Sequence, residues 1–118
     1  MKRPKTIICD IDGTLIYHYG SLQKQVLNDP VLLPDVKDRF EIWDKKGYNI
    51  ILITGRRESL RNITEKQLES LGLFYDQLVM GVGGGQRVLI NDLKTNTDEL
   101  TAISYNIQRN KGLSQVNE

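Results

Sequence analysis

Cysteine, histidine and tryptophan each occur once in 118 residues and proline three times, and neither sign of charge dominates: 16 Lys and Arg stand against 15 Asp and Glu, a formal charge of +1. Each scarcity closes a class. Cys9 cannot form an internal disulfide, so the fold needs no oxidising compartment. A domain built around phosphate backbones usually carries a clear basic excess, and none is visible, which disfavours nucleic acid as the main partner. Long apolar runs are missing as well. Met1-Lys2-Arg3-Pro4-Lys5 looks like the charged start of an export signal, but the apolar run behind it, Ile7-Ile8-Cys9, stops at Asp10. That falls short of the roughly 7–15 apolar residues such a signal requires. Nothing approaches the about 18 residues of a membrane span. The expectation is a cytoplasmic protein without a membrane partner.

What is present is ordinary globular composition, 39% hydrophobic and 26% charged, in a length that fits one domain over residues 1–118 and leaves no room for a separate lid. Three apolar runs, Thr6 to Cys9, Asn49 to Ile53 and Val88 to Ile90, read as buried strands of a parallel sheet. Between the first two, Val36, Phe40 and Trp43 recur at helical spacing after Pro34 and before Gly47, which makes Trp43 a core residue. Leu60, Ile63, Leu68 and Leu71 mark a second helix closed by Gly72. A third begins at Asn96-Thr97-Asp98-Glu99 and continues through Leu100, Ile103 and Ile107. Strand alternating with helix predicts a doubly wound α/β domain with helices on both faces of a mostly parallel sheet.

Three segments stand outside that alternation. Residues 14–33 have no clear period, and a connection of that length in a compact domain is functional or mobile. Leu78-Val79-Met80 reads as a short strand, followed by Gly81-Val82-Gly83-Gly84-Gly85-Gln86. Six residues are too few for a parallel crossover, which leaves an extended loop or a hairpin with 87–91 as alternatives. The glycine run does not open a helix, so it is not a dinucleotide-binding loop. Residues 108–118 are polar and are expected to fray.

In an open α/β sheet, ligands bind beyond the carboxyl ends of the strands. The three runs end in Asp10-Ile11-Asp12-Gly13-Thr14, Thr54-Gly55-Arg56 and Asn91-Asp92. With all three strands parallel, carboxylates, a hydroxyl and a guanidinium would share one crevice. Crowded carboxylates repel unless a cation joins them, and an oxygen-only set with few protein ligands favours Mg²⁺. Such an ion would also screen Asp10 from an anionic phosphoryl group, letting it act as nucleophile and form an aspartyl-phosphate while Asp12 handles protons.

Asp10-Ile11-Asp12-Gly13-Thr14-Leu15 resembles the first motif of the haloacid dehalogenase superfamily of phosphotransferases, Ile51-Leu52-Ile53-Thr54-Gly55-Arg56 its second, and Ile90-Asn91-Asp92 its acidic fourth. The resemblance covers residues 6 to about 95. It implies a capless Mg²⁺-dependent phosphatase with Asp10 as nucleophile, Asp12 as general acid and base, and Thr54, Gly55 and Arg56 around the phosphoryl oxygens. Asp10, Asp12 through its carbonyl, and Asp92 would ligate the metal, with Asn91 as a further ligand. Capless members often cover their sites by forming homo-oligomers.

The sequence departs from that pattern at the third motif, a Lys or Arg ahead of the fourth. Arg87 is the nearest upstream cation, with Lys94, Arg56 and Lys66 as alternatives. Asn91 also stands where many members have a second Asp. The leading expectation is hydrolysis of a small phosphorylated metabolite such as a sugar phosphate. Its rivals are a catalytically weak phosphate- and metal-binding module, and a nucleic-acid-end phosphatase similar to the small phosphatase modules of end-processing enzymes. Tyr17, His18 and Tyr19 read as solvated loop residues within reach of a substrate.

Overall fold

Residues 3–118 are described by the structure, a computed structural model. Strand β1 (Thr6–Asp10) is followed by helices α1 (Leu22–Leu27) and α2 (Val36–Lys45). Strand β2 (Asn49–Ile53), a 3₁₀ turn (Glu58–Leu60), helix α3 (Arg61–Ser70) and strand β3 (Gln77–Val79) complete the regular elements. The strands form one parallel sheet in the order β1-β2-β3, with Cys9 opposite Leu52 and Leu52 opposite Leu78. The α/β class and the parallel sheet are as expected and both crossovers carry helix, but α2 and α3 pack into one core on the same face of the sheet, so the expected helices on both faces are not seen among the described residues. No helix among the described residues is long and apolar enough to cross a membrane.

The two sheet faces are covered unequally. Cys9, Ile50, Leu52 and Leu78 are buried in one core with Val36, Phe40 and Trp43 of α2 and Leu68 of α3. On the other face Ile8 is half exposed, Ile51 and Ile53 are partly exposed, and Val79 is open. Because side chains alternate along a strand, the register that buries Cys9 and Leu52 aims Asp10 toward the more open side. Asp10 therefore sits at the end of β1 where solvent and ligand can reach it.

Three expectations fail beyond β3. The first is the strand at Val88 to Ile90, which does not form; all three side chains are exposed. Six residues after β3 cannot carry the chain through a parallel crossover. They instead fold back over the end of β2, where Gly81 N donates to Arg56 O at 2.7 Å and Val82 N to Thr54 O at 2.9 Å. Leu78-Val79-Met80 accordingly supplies a parallel strand, with an extended loop after it and no hairpin. The second is the helix from Asn96 to Ile107, which is also absent. Of its apolar stripe only Ile107 packs against the core, Leu100 and Ile103 lying exposed, and a short helix with so little tertiary packing is not stable.

The third is the frayed tail, which is anchored instead. Leu113 and Val116 join the core, and Leu113 N donates to Pro34 O at 3.1 Å. The approach works because residue 112 is glycine: its φ is +85, and a Cβ there would run into the Pro34 carbonyl. Gly112→Ala is expected to destabilise the domain by more than about 1 kcal/mol, through backbone strain and the lost seat of Leu113. Urea denaturation checks this, and an unchanged midpoint would count against the anchored tail.

Candidate active site

The turn after β1 is pinned by apolar residues and presents polar ones. Ile11, Leu15 and Ile16 are almost fully buried, and the Ile11 carbonyl accepts from the backbone N–H groups of Thr14, Leu15 and Ile16. With every apolar side chain of the turn driven inward, Asp10, Asp12 and Thr14 are left around the crevice. Gly13, at φ +86, supplies the left-handed residue the turn needs.

Asp10 keeps about a third of its side chain exposed. Thr14 Oγ1 donates to its Oδ2 at 3.3 Å, and Arg87 Nη2 stands 3.6 Å from its Oδ1. Burial raises the Asp10 carboxyl above the usual carboxylate range, while the Arg87 guanidinium and then the Thr14 hydroxyl pull it back down. Arg87 does not come from a strand. The glycine-rich loop folded over β2 brings it to Asp10.

Asp12 is held differently. Arg56 meets it with two prongs, Nε to Oδ2 at 2.9 Å and Nη2 to Oδ1 at 2.8 Å, and Gln25 Nε2 donates to Oδ1 at 2.7 Å. The third guanidinium nitrogen of Arg56, Nη1, donates to Thr64 Oγ1 at 3.0 Å and Gln67 Oε1 at 2.7 Å. Gln67 Nε2 then donates to the Gln25 carbonyl at 2.9 Å. The result is a closed ring, Asp12–Arg56–Gln67–Gln25–Asp12, that ties the β1 turn, the end of β2, α3 and α1 together.

Arg56, expected around the phosphoryl oxygens, is 2% exposed, and its guanidinium is directed to Asp12 and α3 with every nitrogen engaged there. Thr54 is buried beside it and its Oγ1 accepts from Arg56 N at 3.1 Å, while Gly55 is roofed by Gly83, whose carbonyl oxygen would lie 3.4 Å from a Cβ at position 55.

Asn91 and Asp92 are exposed in the irregular segment beyond Arg87, and no group of three His, Cys, Asp or Glu among the described residues is placed to hold a metal. The expected Asp10, Asp12 and Asp92 centre is therefore not assembled, because the strand meant to carry Asp92 does not form. What remains is narrower. Asp10 offers a hard oxygen donor with about a third of its side chain open to solvent. One or two carboxylates completed by water and a substrate phosphate is the manner in which Mg²⁺ binds, so this donor set fits Mg²⁺ and not an all-protein cage.

Sequence reasoning passed over Gln25, Thr64 and Gln67. For the last two a signal was available: they fall at helical spacing with Leu60, Leu68 and Leu71 on the inward face of α3, so two polar residues occupy an apolar stripe. Gln25 gave no such sign, since α1 is short and irregular in pattern.

Cys9, beneath Asp10, is buried, and burial pushes its thiol up to about 12. It is expected to resist thiol reagents at pH 8 in the folded protein and to react fully in urea; reaction in the native state would contradict the packing. The unfolded thiol titrates near about 8.5. As pH rises from there toward 12, the folded state retains a proton that the unfolded state has lost, so stability falls across that window.

Residues 4–89 match the sequence profile of the family described as polynucleotide kinase PNKP phosphatase domain. A chain of the Pnkp1/Rnl/Hen1 complex is similar over 72% of this chain, at 31% identity and a TM-score of 0.59. A chain of the Pnkp1/Rnl/Hen1 RNA repair complex is similar over 65%, at 33% identity and a TM-score of 0.57. This chain spans only 30% and 25% of the length of those two. A crystal structure from Vibrio cholerae shares the fold at 20% identity and a TM-score of 0.53, over 75% of this chain and 79% of that one. No curated protein sequence matches.

Proposed function

We propose, since this chain belongs to the PNKP-type phosphatase-domain family within the haloacid dehalogenase superfamily, that it removes the terminal phosphate from a nucleic acid strand. One observation carries the chemistry: Asp10 stands at the crevice mouth beside a hydroxyl and a guanidinium, while its neighbour Asp12 is held apart from it by Arg56. An Asp10 carboxylate oxygen attacks phosphorus and the bond from phosphorus to the strand oxygen breaks, that oxygen taking up a proton from solvent water. Water then attacks the aspartyl-phosphate, releasing inorganic phosphate and restoring Asp10.

Asp12 is the proton carrier. Arg56 and Gln25 hold its carboxylate with three donor contacts, which orients it to take a proton from the attacking water and pass it to solvent. Arg87 fills the third-motif role, neutralising phosphoryl charge that would otherwise repel Asp10. Thr54 Oγ1 accepts from Arg56 N, which leaves its own hydrogen for a phosphoryl oxygen at the Thr54-Gly55 corner. Mg²⁺ is the proposed cofactor, held by the Asp10 carboxylate and the Asp12 carbonyl, and when bound it supplies further neutralisation of the phosphoryl group.

The family match supports a polynucleotide end over the small metabolite as substrate. The formal charge of +1 is a sum over the chain, whereas the cations are distributed locally, with Arg87 beside the nucleophile. The test is release of inorganic phosphate from 3′-phosphorylated DNA and RNA oligonucleotides, set against 5′-phosphorylated strands and sugar phosphates. Turnover of one end of a strand, lost on chelation and restored by Mg²⁺, is expected. Turnover of sugar phosphates with the strands untouched would return the substrate to the metabolite class, and no turnover of any substrate would remove the phosphatase reading.

A further inference from the structure

The anchored tail brings a cation to the active-site turn. Asn110, at φ +63, clamps that turn: its N–H donates to Gly13 O at 2.8 Å, its Oδ1 accepts from His18 N at 2.7 Å, and its Nδ2 donates to His18 O at 3.3 Å. The residue before it, Arg109, lies along Gly13, where a Cβ would stand 3.1 Å from Arg109 Cγ and 3.6 Å from Nε. Arg109 takes part in no ion pair among the described residues. Gly13 is one residue, about 3.8 Å between Cα positions, from Thr14, whose hydroxyl touches Asp10. On the same loop, Tyr17 is exposed and meets Tyr19 edge to face at 5.0 Å.

We propose that Arg109 binds the internucleotide phosphate next to the terminal one, with Tyr17 offering its ring to an adjacent base. The inference rests on the reading of the site as a strand-end phosphatase and adds a subsite to it. Three features converge. An exposed arginine in no ion pair among the described residues is carried on backbone that the Asn110 clamp and the Leu113–Pro34 bond hold on its C-terminal side. It stands beside the turn that bears the nucleophile's partner Thr14. An exposed aromatic lies on the loop that the same clamp holds, and cation plus aromatic is the combination that retains single strands regardless of sequence. The tail beyond Arg109 is locked by Gly112 and Leu113, so the cation is carried on an ordered segment.

The test compares Arg109→Ala and Arg109→Lys with the wild type on two substrates, a 3′-phosphorylated oligonucleotide and a nucleoside 3′-monophosphate, which has no second phosphate. Losing one charge-assisted phosphate contact is expected to lower kcat/KM for the oligonucleotide about tenfold more than for the monophosphate, mostly through KM, with Lys recovering part. The logarithmic salt dependence of oligonucleotide binding should flatten by about 0.7, the slope of one single-strand phosphate contact. An equal loss on both substrates means that Arg109 only braces the turn and overturns the proposal, as does no loss on either. Binding of a fluorescent oligonucleotide to Asp10→Asn, with and without Arg109→Ala, separates the two readings. A difference in affinity upholds the subsite even where wild-type turnover fails, and no difference removes it.

Discussion

Asp10→Asn is expected to abolish phosphate release, by at least about a thousandfold, because a carboxamide cannot form the covalent intermediate and removal of a nucleophile leaves only residual binding and electrostatic catalysis. The fold should survive. Burial raises the Asp10 carboxyl pKa, so its charge is held at some expense to stability, which a neutral side chain of the same shape relieves. Thermal denaturation should therefore show a midpoint no lower than that of the wild type, alongside the lost turnover. Loss of activity with a large fall in midpoint would point to a structural defect, and retained activity would remove Asp10 as the nucleophile.

Arg56→Ala should produce the largest loss of stability. The side chain is 2% exposed and donates to Asp12, Thr64 and Gln67 at once, so truncation leaves a partly buried carboxylate and two buried polar side chains without their partner. Breaking a buried ion pair by removing one member typically costs about 3–5 kcal/mol. That is a large share of the about 5–15 kcal/mol that holds a domain together. Arg56→Lys keeps the charge but not the fork that spans both oxygens of Asp12, so most of the loss should remain. Urea denaturation reads the effect directly, and a loss under about 1 kcal/mol would mean that the ring around Asp12 is not a stabilising unit.

Turnover should fall with stability in these variants for a separate reason. Asp12 accepts hydrogen bonds from Arg56 on one side and Gln25 on the other, and Gln25 also donates to Tyr17 O at 3.0 Å and accepts from Tyr19 N. The ring thus fixes the proton carrier and the loop bearing Tyr17 with the same few bonds. Activity of Arg56→Lys measured at a temperature where it is fully folded isolates this positioning role from stability.

Apart from α1, strand and helix positions in the first eighty residues were legible because they depend on local pattern. The apolar runs at Thr6 to Cys9 and Asn49 to Ile53, the α2 stripe of Val36, Phe40 and Trp43, and the stops at Gly47 and Gly72 all follow from alternation, helical period and backbone freedom. The acidic turn after β1 was equally visible, since Asp10 and Asp12 alternate with Ile11 and need only a buried neighbour to face outward. What local pattern could not supply was whether an apolar run finds a surface to cover. Val88 to Ile90 and Leu100 to Ile107 have the pattern of a strand and a helix but neither forms, while the polar tail is secured by Leu113 and Val116. Arg56 shows the same division at the site. Its position at the end of β2 came from the sequence, but whether its guanidinium met phosphate or Asp12 depended on Gln25, Thr64 and Gln67, brought in from two other elements. Charge pairing and burial are decided between segments far apart in the chain, and only the folded arrangement settles which partners a long, many-donor side chain finds.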